Sequence, residues 1–193
     1  SSGASDVYKR QPLYTQNFPL KCGKGSAYEG GIREPMIVRW PGTVQPGTRC
    51  NDYLIIEDFY PSILEMAGID DYDVPQEIDG ISFVPLLKQT KNPSQGRSLY
   101  WNCPNIWGEK GPGIGPSCTI RKDNWKMIYF YETGEKELYD IPNDIEENNN
   151  VAALYPQIIN KLSKELGKFL RQTNGQRPSF KKTGKPCPWP DEI

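Results

Sequence analysis

The side chains that could do chemistry in this sequence are cations, carboxylates and thiols, because the chain contains no histidine. Histidine is the commonest general base and metal ligand near neutral pH, so a self-contained hydrolase of the usual kind would be expected to carry one. The five cysteines are widely spaced and include no C-x-x-C pair, which argues against a zinc site. One or two disulfides would be compatible with an oxidising compartment, but the spacing alone defines no pairing.

Lys24 stands between Gly23 and Gly25, in a stretch that is otherwise polar and loop-like. Glycines on both sides allow the backbone to bring a lysine close to a ligand. A fixed ammonium group at such a place stabilises negative charge that develops during a reaction. Most lysines are simply solvated, however, and the local sequence by itself favours that simpler interpretation of Lys24.

Several carboxylates lie close together in the sequence and could be mistaken for an acid–base pair. No other feature supports catalysis by Glu29 and Glu34, so we expect them to form a structural set of ion pairs with Arg33. The acidic and amide residues 146–150 are expected to cap the helical turns that follow them. We do not expect a metal site there.

Composition excludes several classes of protein. The chain carries 23 basic and 24 acidic side chains and shows no basic stripe that would indicate a nucleic-acid partner. No apolar run approaches the ~18 residues that a membrane span needs, and no signal peptide is recognisable. Hydrophobic residues make up 36% and aromatic residues 11%, which is typical of a globular chain. The aromatic residues are expected chiefly in the core, and a carbohydrate-binding face is the alternative.

The first part of the chain predicts a loop followed by a strand. Residues 1–11 look foreign to the rest, resemble a scar of sequence assembly and are left out of the fold prediction. Residues 12–25 are polar and loop-like. Residues 32–40 predict a strand with Ile37 and Val38 in an apolar core.

The next part of the chain predicts two helices. Asp58 is expected to cap a helix over residues 59–67, and Gly68 supplies the residue just past its C-terminus. The apolar stripe of this helix is formed by Ile63, Leu64 and Ala67. A short helical piece is expected over residues 83–88.

After residue 96 the pattern predicts an antiparallel meander covered by a helix. Strand-like runs occur at residues 98–103, 118–121, 125–131 and 136–139. Hairpin turns are expected at Asp123-Asn124 and Thr133-Gly134. Residues 157–170 predict an amphipathic helix that covers one face of the meander and gives a small α+β unit. The tail, residues 174–193, is expected to pack poorly.

The segment 22–35, CGKGSAYEGGIREP, continues to Trp40-Pro41-Gly42 and resembles the second signature region of the sulfatase family. Further motifs follow in the order that the family has. They are DGIS at 79–82, PLL at 85–87, RKDNWK at 121–126 and ELYD at 137–140, with Asp144, Glu147 and Asn150. The resemblance covers nearly everything from residue 12 to residue 170. The loop at 102–115 is similar to the bacterial glycan-desulfating branch.

This resemblance implies a fold of the α/β class followed by an α+β unit. Residues 12–96 would be the C-terminal part of the alkaline-phosphatase-like sulfatase domain. Residues 97–173 would be a small C-terminal subdomain of antiparallel sheet packed by a C-terminal helix. Residues 1–11 would be a non-native scar, and residues 174–193 a tail.

The resemblance also implies hydrolysis of sulfate esters of glycans, by a formylglycine nucleophile beside a calcium ion. In the family, the formylglycine segment (C/S-x-P-S-R or C/S-x-A-S-R) and the calcium ligands precede the region that matches here. None of the five cysteines begins such a segment. We therefore expect the nucleophile to be absent and the chain alone to be inactive. The whole enzyme would be periplasmic or secreted and would act on a sulfated carbohydrate or an aryl sulfate.

By the same resemblance, Lys24 matches the family lysine that touches the substrate sulfate and is the candidate catalytic residue. Asn102, Asn105 and Trp107 lie on a loop that can reach over the active-site mouth and are candidate substrate-binding residues. Many relatives carry histidine where this sequence has Asn102, and its absence removes a possible proton donor to the leaving group. No metal ligand is assigned in this chain.

Two alternatives stay open at this point. The first is a phosphodiesterase or phosphatase of the same superfamily. Such enzymes usually need histidine ligands for a second metal in this half of the protein, and the sequence has no histidine. The second is a non-catalytic carbohydrate-binding module, which the aromatic residues would suit but which gives no reason for the signature around Lys24.

Overall fold

The computed structural model describes residues 15–69, 71–106 and 111–193, and their contacts divide them into two units. The sheet unit consists of residues 15–34 and 98–193, and the helical unit of residues 35–97. The sequence placed residues 12–96 together, whereas residues 15–34 belong to the sheet unit. The predicted scar, residues 1–11, lies outside the described residues.

Four α-helices, one 3-10 helix (Ile56–Asp58) and four strands make up the regular structure of the described residues. The helices are α1 (Glu29–Ile32), α2 (Phe59–Met66), α3 (Val84–Leu87) and α4 (Pro156–Gln172). The strands are β1 (Ser98–Cys103), β2 (Ser117–Lys122), β3 (Trp125–Phe130) and β4 (Lys136–Asp140). No helix in the described part of the chain has the length and apolar character that a membrane span requires.

The four strands form one antiparallel sheet in the order β1-β2-β3-β4. Lys122 pairs with Trp125 across a two-residue turn in which Asp123 has a φ of 52°. Asp tolerates this left-handed conformation better than most residues do, so the turn suits the sequence. The turn after β3 likewise places Gly134 at a φ of 74°. The structure confirms the predicted meander.

Helix α4 packs on the sheet through leucines at four-residue spacing. Leu162, Leu166 and Leu170 are buried, and this spacing places them on one face of the helix. They join a core to which the strands contribute apolar side chains, among them Met127 and Leu138. Each fully buried leucine contributes about 1.5–3 kcal/mol, so this face holds the helix in place. The predicted amphipathic helix is confirmed.

The prediction that the tail packs poorly is wrong. Cys187 and Trp189 are buried in the same core as the α4 leucines. The hydroxyl of Tyr129 donates a hydrogen bond to the carbonyl of Pro188 at 2.9 Å. Arg171 on α4 forms a two-pronged ion pair with Asp191. Local composition suggested a solvated tail, but the buried side chains come from its last residues, beyond the Lys-rich part.

The predicted strand over residues 32–40 is absent. Ile32 ends α1, and residues 33–40 form no strand. Ile37 is 97% exposed, although the sequence placed it in an apolar core. A strand needs a partner to satisfy its backbone groups, and no described residues pair with this segment.

Helix α2 appears where it was predicted, but Asp58 does not cap it in the expected way. The buried Asp58 carboxylate accepts hydrogen bonds from the backbone of Ile55 and Ile81 and pairs with Arg97 at 2.7 Å. Gly68, with a φ of 71°, ends the helix as predicted. The predicted apolar stripe of α2 is not a buried face, because Ile63 is exposed.

A buried ionic cluster joins α1 to the sheet. Glu29 of α1 lies 3.1 Å from Lys126 of β3 and 3.3 Å from Arg121 of β2. Lys126 also lies 2.8 Å from Glu147, which follows β4. The side chains of Lys126 and Glu147 are 0% exposed. We call Glu29, Arg121, Lys126 and Glu147 the ionic cluster.

The ionic cluster and its surroundings test two predictions, and each is confirmed only in part. The expected ion pair of Glu29 with Arg33 is present at 3.3 Å, whereas Glu34 is exposed. Glu147 does not cap a following helix but enters the cluster. Asn150 does cap the turn that follows it, because its side-chain oxygen accepts the N–H of Ala152 at 3.0 Å, whereas α4 begins after Tyr155 without a side-chain cap.

Burial and charge act in opposite directions on the two carboxylates of the cluster. Burial opposes ionisation of Glu29, but the charges of Lys126 and Arg121 outweigh it and hold the pKa of Glu29 below its ordinary value. Burial raises the pKa of Glu147 above its ordinary value, and Lys126 offsets only part of this effect. Glu147 therefore takes up a proton before Glu29 as the pH falls.

Removal of the shared cation tests the cluster. Lys126→Ala should lower the free energy of unfolding by about 3–5 kcal/mol, because it leaves the buried Glu147 carboxylate without a cation, and Glu29 with only Arg121 and Arg33. The matched control is Lys122→Ala: Lys122 lies 2.8 Å from Glu165, but the two side chains are 24% and 25% exposed. The control should cost about 1 kcal/mol or less. Urea unfolding measures both variants, and equal losses would contradict a buried anchor.

The packing of the tail is tested with two of its aromatic residues. Trp189 is 7% exposed and Phe180 is 38% exposed. Trp189→Ala should lower the free energy of unfolding by about 3 kcal/mol or more, since it opens a cavity in the core. Phe180→Ala should cost less than about 1 kcal/mol. If chemical denaturation gave similar values for both variants, the tail would not be part of the core.

Candidate functional site

Lys24 lies on a tight loop, residues 22–28, which we call the lysine loop. Lys24 itself is exposed, and among the residues that the structure describes it makes no hydrogen bond or ion pair. Its ammonium group is therefore available to a ligand, and the backbone of the loop determines where it stands.

The glycines in and beside the lysine loop allow close packing of the backbone and also leave Lys24 accessible to a ligand. A Cβ atom on Gly23 would lie 2.5 Å from the carbonyl oxygen of Thr15, and Gly25 has a φ of 88°. Cβ atoms on Gly30 and Gly31 of α1 would overlap carbonyl oxygens of the loop. Gly30 and Gly31 therefore let the helical turn of α1 pack directly against the loop.

The segment 111–115 packs against the lysine loop. The backbone N–H of Ala27 donates to the carbonyl of Gly113 at 2.9 Å, and the hydroxyl of Ser26 donates to the carbonyl of Pro112 at 3.0 Å. A Cβ on Gly113 would lie 2.6 Å from the ring of Tyr28. The Gly-rich stretch that resembles the glycan-desulfating branch is thus fitted to the loop that carries Lys24.

A network of phenols supports the far end of the lysine loop. The hydroxyls of Tyr28 and Tyr139 both donate to Glu137, at 2.8 and 2.9 Å. The ammonium group of Lys21 lies 3.9 Å from the centre of the Tyr28 ring. Burial and the adjacent Glu137 raise the pKa of both phenols well above its usual value. Both phenols therefore act as hydrogen-bond donors at neutral pH and not as bases.

The Cys22 thiol, at the start of the loop, is not suited to be a nucleophile. Burial raises the pKa of this thiol, so it stays protonated near neutral pH. All five cysteines of the chain are unpaired thiols in the structure, and none forms a disulfide. A cavity of about 340 Å³ beside the loop is lined in part by Lys21, Cys22 and Pro112.

The candidate substrate-binding residues differ in their surroundings. The side-chain amide of Asn102 donates to the carbonyl of Gln176 at 2.7 Å and accepts from the hydroxyl of Tyr131 at 3.0 Å. It therefore ties the tail to the sheet. Asn105 is exposed, and Trp107 lies outside the described residues. A role of Asn102, Asn105 and Trp107 in substrate binding stays a prediction.

The described residues do not fit the calcium site that the resemblance implies. Calcium requires several oxygen ligands, usually carboxylates. Within residues 15–69, 71–106 and 111–193, no group of three or more acidic, histidine or cysteine side chains could hold a metal ion. We therefore assign no step that involves a metal to the residues of this chain.

The sequence did not identify the residues that hold the loop in place. Glu29 and Lys126 are 97 positions apart, and Glu29 and Glu147 are 118 apart. One indication of these residues is present in the sequence: RKDNWK, which contains Lys126, and Glu147 both belong to the motifs that resemble the sulfatase family.

Comparison with known proteins places this geometry in a family. Residues 22–173 match the family model described as N-sulphoglucosamine sulphohydrolase, C-terminal. A protein named Sulfatase from Formosa agariphila is 29% identical over 189 residues, which cover 91% of this chain and 34% of the relative. The N-acetylglucosamine-6-O-sulfatase of Bacteroides thetaiotaomicron is 31% identical over 152 residues, 77% of this chain and 26% of the relative.

A solved structure agrees with these relatives. Ps i-CgsB in complex with k-i-k-neocarrahexaose superposes with a TM-score of 0.68 at 29% identity, covering 86% of this chain and 34% of that one. The chain spans about a third of the length of these relatives, or less.

The family match begins at Cys22, the first residue of the lysine loop, and ends at Thr173, just after α4. It therefore contains the lysine loop, the ionic cluster and the whole sheet. This chain belongs to the sulfatase family, and residues 22–173 are a C-terminal domain of that family.

Proposed function

We propose that this chain contributes Lys24 to the active site of an enzyme that hydrolyses sulfate esters of glycans. The observation that carries the proposal is the exposed Lys24 on a loop whose backbone is held by internal contacts on both sides. The match of this loop to the start of the sulfatase C-terminal family model supports it.

The chemistry assigned to Lys24 is electrostatic. Cleavage of a sulfate ester concentrates negative charge on the non-bridging oxygens and on the leaving oxygen. An ammonium group fixed beside these oxygens stabilises the transition state, by about 3–4 kcal/mol for a well-placed donor. The loop fixes the backbone of Lys24 before the substrate arrives, and the exposed side chain extends from that backbone to the sulfate.

The remaining parts of the active site are proposed to lie outside these 193 residues. The sequence contains no C/S-x-P-S-R or C/S-x-A-S-R segment from which a formylglycine could form. The carboxylates described in the structure do not assemble into a calcium site. We therefore assign the nucleophile and the calcium ligands to other sequence in the complete enzyme.

The helical unit is proposed to be the end of the large alkaline-phosphatase-like α/β domain. Its surface exposes several large apolar side chains, including Ile37, Ile56 and Ile63. Apolar surface of this kind usually marks an interface.

The substrate is proposed to be a sulfated carbohydrate, and the enzyme to be periplasmic or secreted. The relatives support this class, since one is named for N-acetylglucosamine-6-O-sulfate hydrolysis and Ps i-CgsB was solved with a neocarrahexaose. The fitted segment 111–115 supports a place in the glycan-desulfating branch. A stand-alone carbohydrate-binding module gains no support from these findings.

The first prediction concerns the chain by itself. The 193-residue chain should show no turnover of aryl sulfates or sulfated sugars, with or without calcium, because it lacks the formylglycine segment. A chromogenic aryl sulfate assay on the purified chain measures this. Turnover above background that disappears in Lys24→Ala would show that the chain carries a complete site.

The second prediction concerns Lys24 in the complete enzyme. Lys24→Ala should lower kcat/KM by about 10²–10³-fold, since it removes one preorganised cation from a site where charge develops. Lys24→Arg should restore only part of this loss, because a planar guanidinium does not reproduce a point charge. Thermal unfolding should be nearly unchanged in both variants, since Lys24 is exposed.

The control for Lys24 is Lys168→Ala, which removes an exposed lysine from α4. It should leave kcat/KM and the melting temperature unchanged. A normal kcat/KM in the Lys24→Ala enzyme would show that Lys24 is an ordinary solvated lysine without a catalytic role. A large fall in melting temperature with a matching loss of activity would make it a structural residue.

A further inference from the structure

We propose that Glu147 is a positioning residue for Lys24. It holds both ends of the lysine loop at once and thereby fixes the backbone from which the Lys24 side chain extends. This inference rests on the proposed function of Lys24 and assigns a part of that function to a residue over a hundred positions away.

Glu147 contacts the residues that immediately flank the lysine loop. On the C-terminal side, its carboxylate accepts the backbone N–H of Glu29 at 2.6 Å. On the N-terminal side, its backbone carbonyl accepts a hydrogen bond from the ammonium group of Lys21 at 2.9 Å. The carboxylate is itself fixed by Lys126, 2.8 Å away in the sheet. Glu147 therefore holds both ends of the loop through hydrogen bonds.

Hydrogen bonds hold the backbone turn around Glu147 in place. Glu147 has a φ of 52°, a left-handed conformation that a glutamate rarely adopts. Its N–H donates to the carbonyl of Asp144 at 3.0 Å. The carboxylate of Asp144 accepts the N–H groups of Asn148 and Asn149, at 3.0 and 2.8 Å. These hydrogen bonds offset the unfavourable backbone conformation, which persists because the surrounding turn determines it.

Glu147 cannot touch the substrate, because its side chain is 0% exposed. Lys24 is exposed, and in the described part of the chain no side chain holds its ammonium group. The backbone of residues 22–28 therefore determines the point from which the Lys24 side chain reaches a ligand. A displacement of about 1 Å in a catalytic group can cost on the order of 10²-fold in rate, so the support of this backbone bears on catalysis.

A double-mutant cycle in the complete enzyme tests the inference, with Lys24→Ala, Glu147→Gln and the two changes combined. The glutamine keeps an acceptor for the Glu29 N–H and removes the charge that fixes it to Lys126. Glu147→Gln alone should lower kcat/KM by about 10-fold, mostly in kcat. In the Lys24→Ala background it should lower kcat/KM by less than about 2-fold, since residues that act through one another are not additive.

Thermal unfolding of the same four proteins gives a readout that separates positioning from folding. Lys24 does not contact Glu147, so the changes in melting temperature should add even though the changes in activity do not. The matched control is Glu165→Gln, which removes a carboxylate paired with a lysine at 2.8 Å elsewhere in the sheet unit. This variant should leave kcat/KM unchanged with Lys24 present.

A second variant covers the case in which Glu147→Gln does not fold. Lys21→Met removes the contact with the Glu147 carbonyl and leaves the ionic cluster intact, and it should show the same non-additivity with Lys24→Ala. An equal loss of kcat/KM with and without Lys24, for whichever variant folds, would overturn the positioning role and leave the role of Lys24 standing. A Lys24→Ala enzyme with full activity would overturn the proposed function, and the inference with it.

Discussion

A fully buried lysine placed between two carboxylates is the interaction on which the sheet unit depends. Lys126 lies 3.1 Å from Glu29 and 2.8 Å from Glu147, out of contact with water. A buried charge without partners is strongly unfavourable, so this part of β3 is stable only when α1 and the turn at Glu147 are both in place. Three segments far apart in the sequence therefore fold as one structure.

This coupling explains why the signature around Lys24 and the distant sheet lie within one family model. A sulfate-binding lysine is useful only if its loop is rigid before the substrate arrives. The lysine loop is short, rich in glycine and without regular structure of its own, so its rigidity has to come from neighbours. The sheet, through Lys126 and Glu147, provides them. Under the proposed role of Lys24, the C-terminal sheet supports the active site although none of its strands carries the reactive group.

The sequence predicted what depends on local pattern and missed what depends on distant contacts. Strand-like runs and helical spacing predicted β1 to β4 and α4, and a resemblance made Lys24 a candidate. Residues 33–40 have strand character but no partner among the described residues. Asp58 resembled a helix cap because its true partners, Ile81 and Arg97, lie well downstream. Trp189 resembled part of a solvated tail because its burial depends on the core beneath α4.

The ionic cluster holds the lysine loop through charged groups, where apolar side chains could also have filled the space. Replacing a buried ion pair with apolar side chains of similar volume is often neutral or even stabilising. An apolar contact would tolerate small shifts of the loop, whereas the bond from the Glu29 N–H to Glu147 and the fixed distances to Lys126 tolerate few. We infer that the cluster contributes geometric definition more than stability. That is the property which the proposed catalytic role of Lys24, on a glycine-rich loop, requires of the structure beneath it.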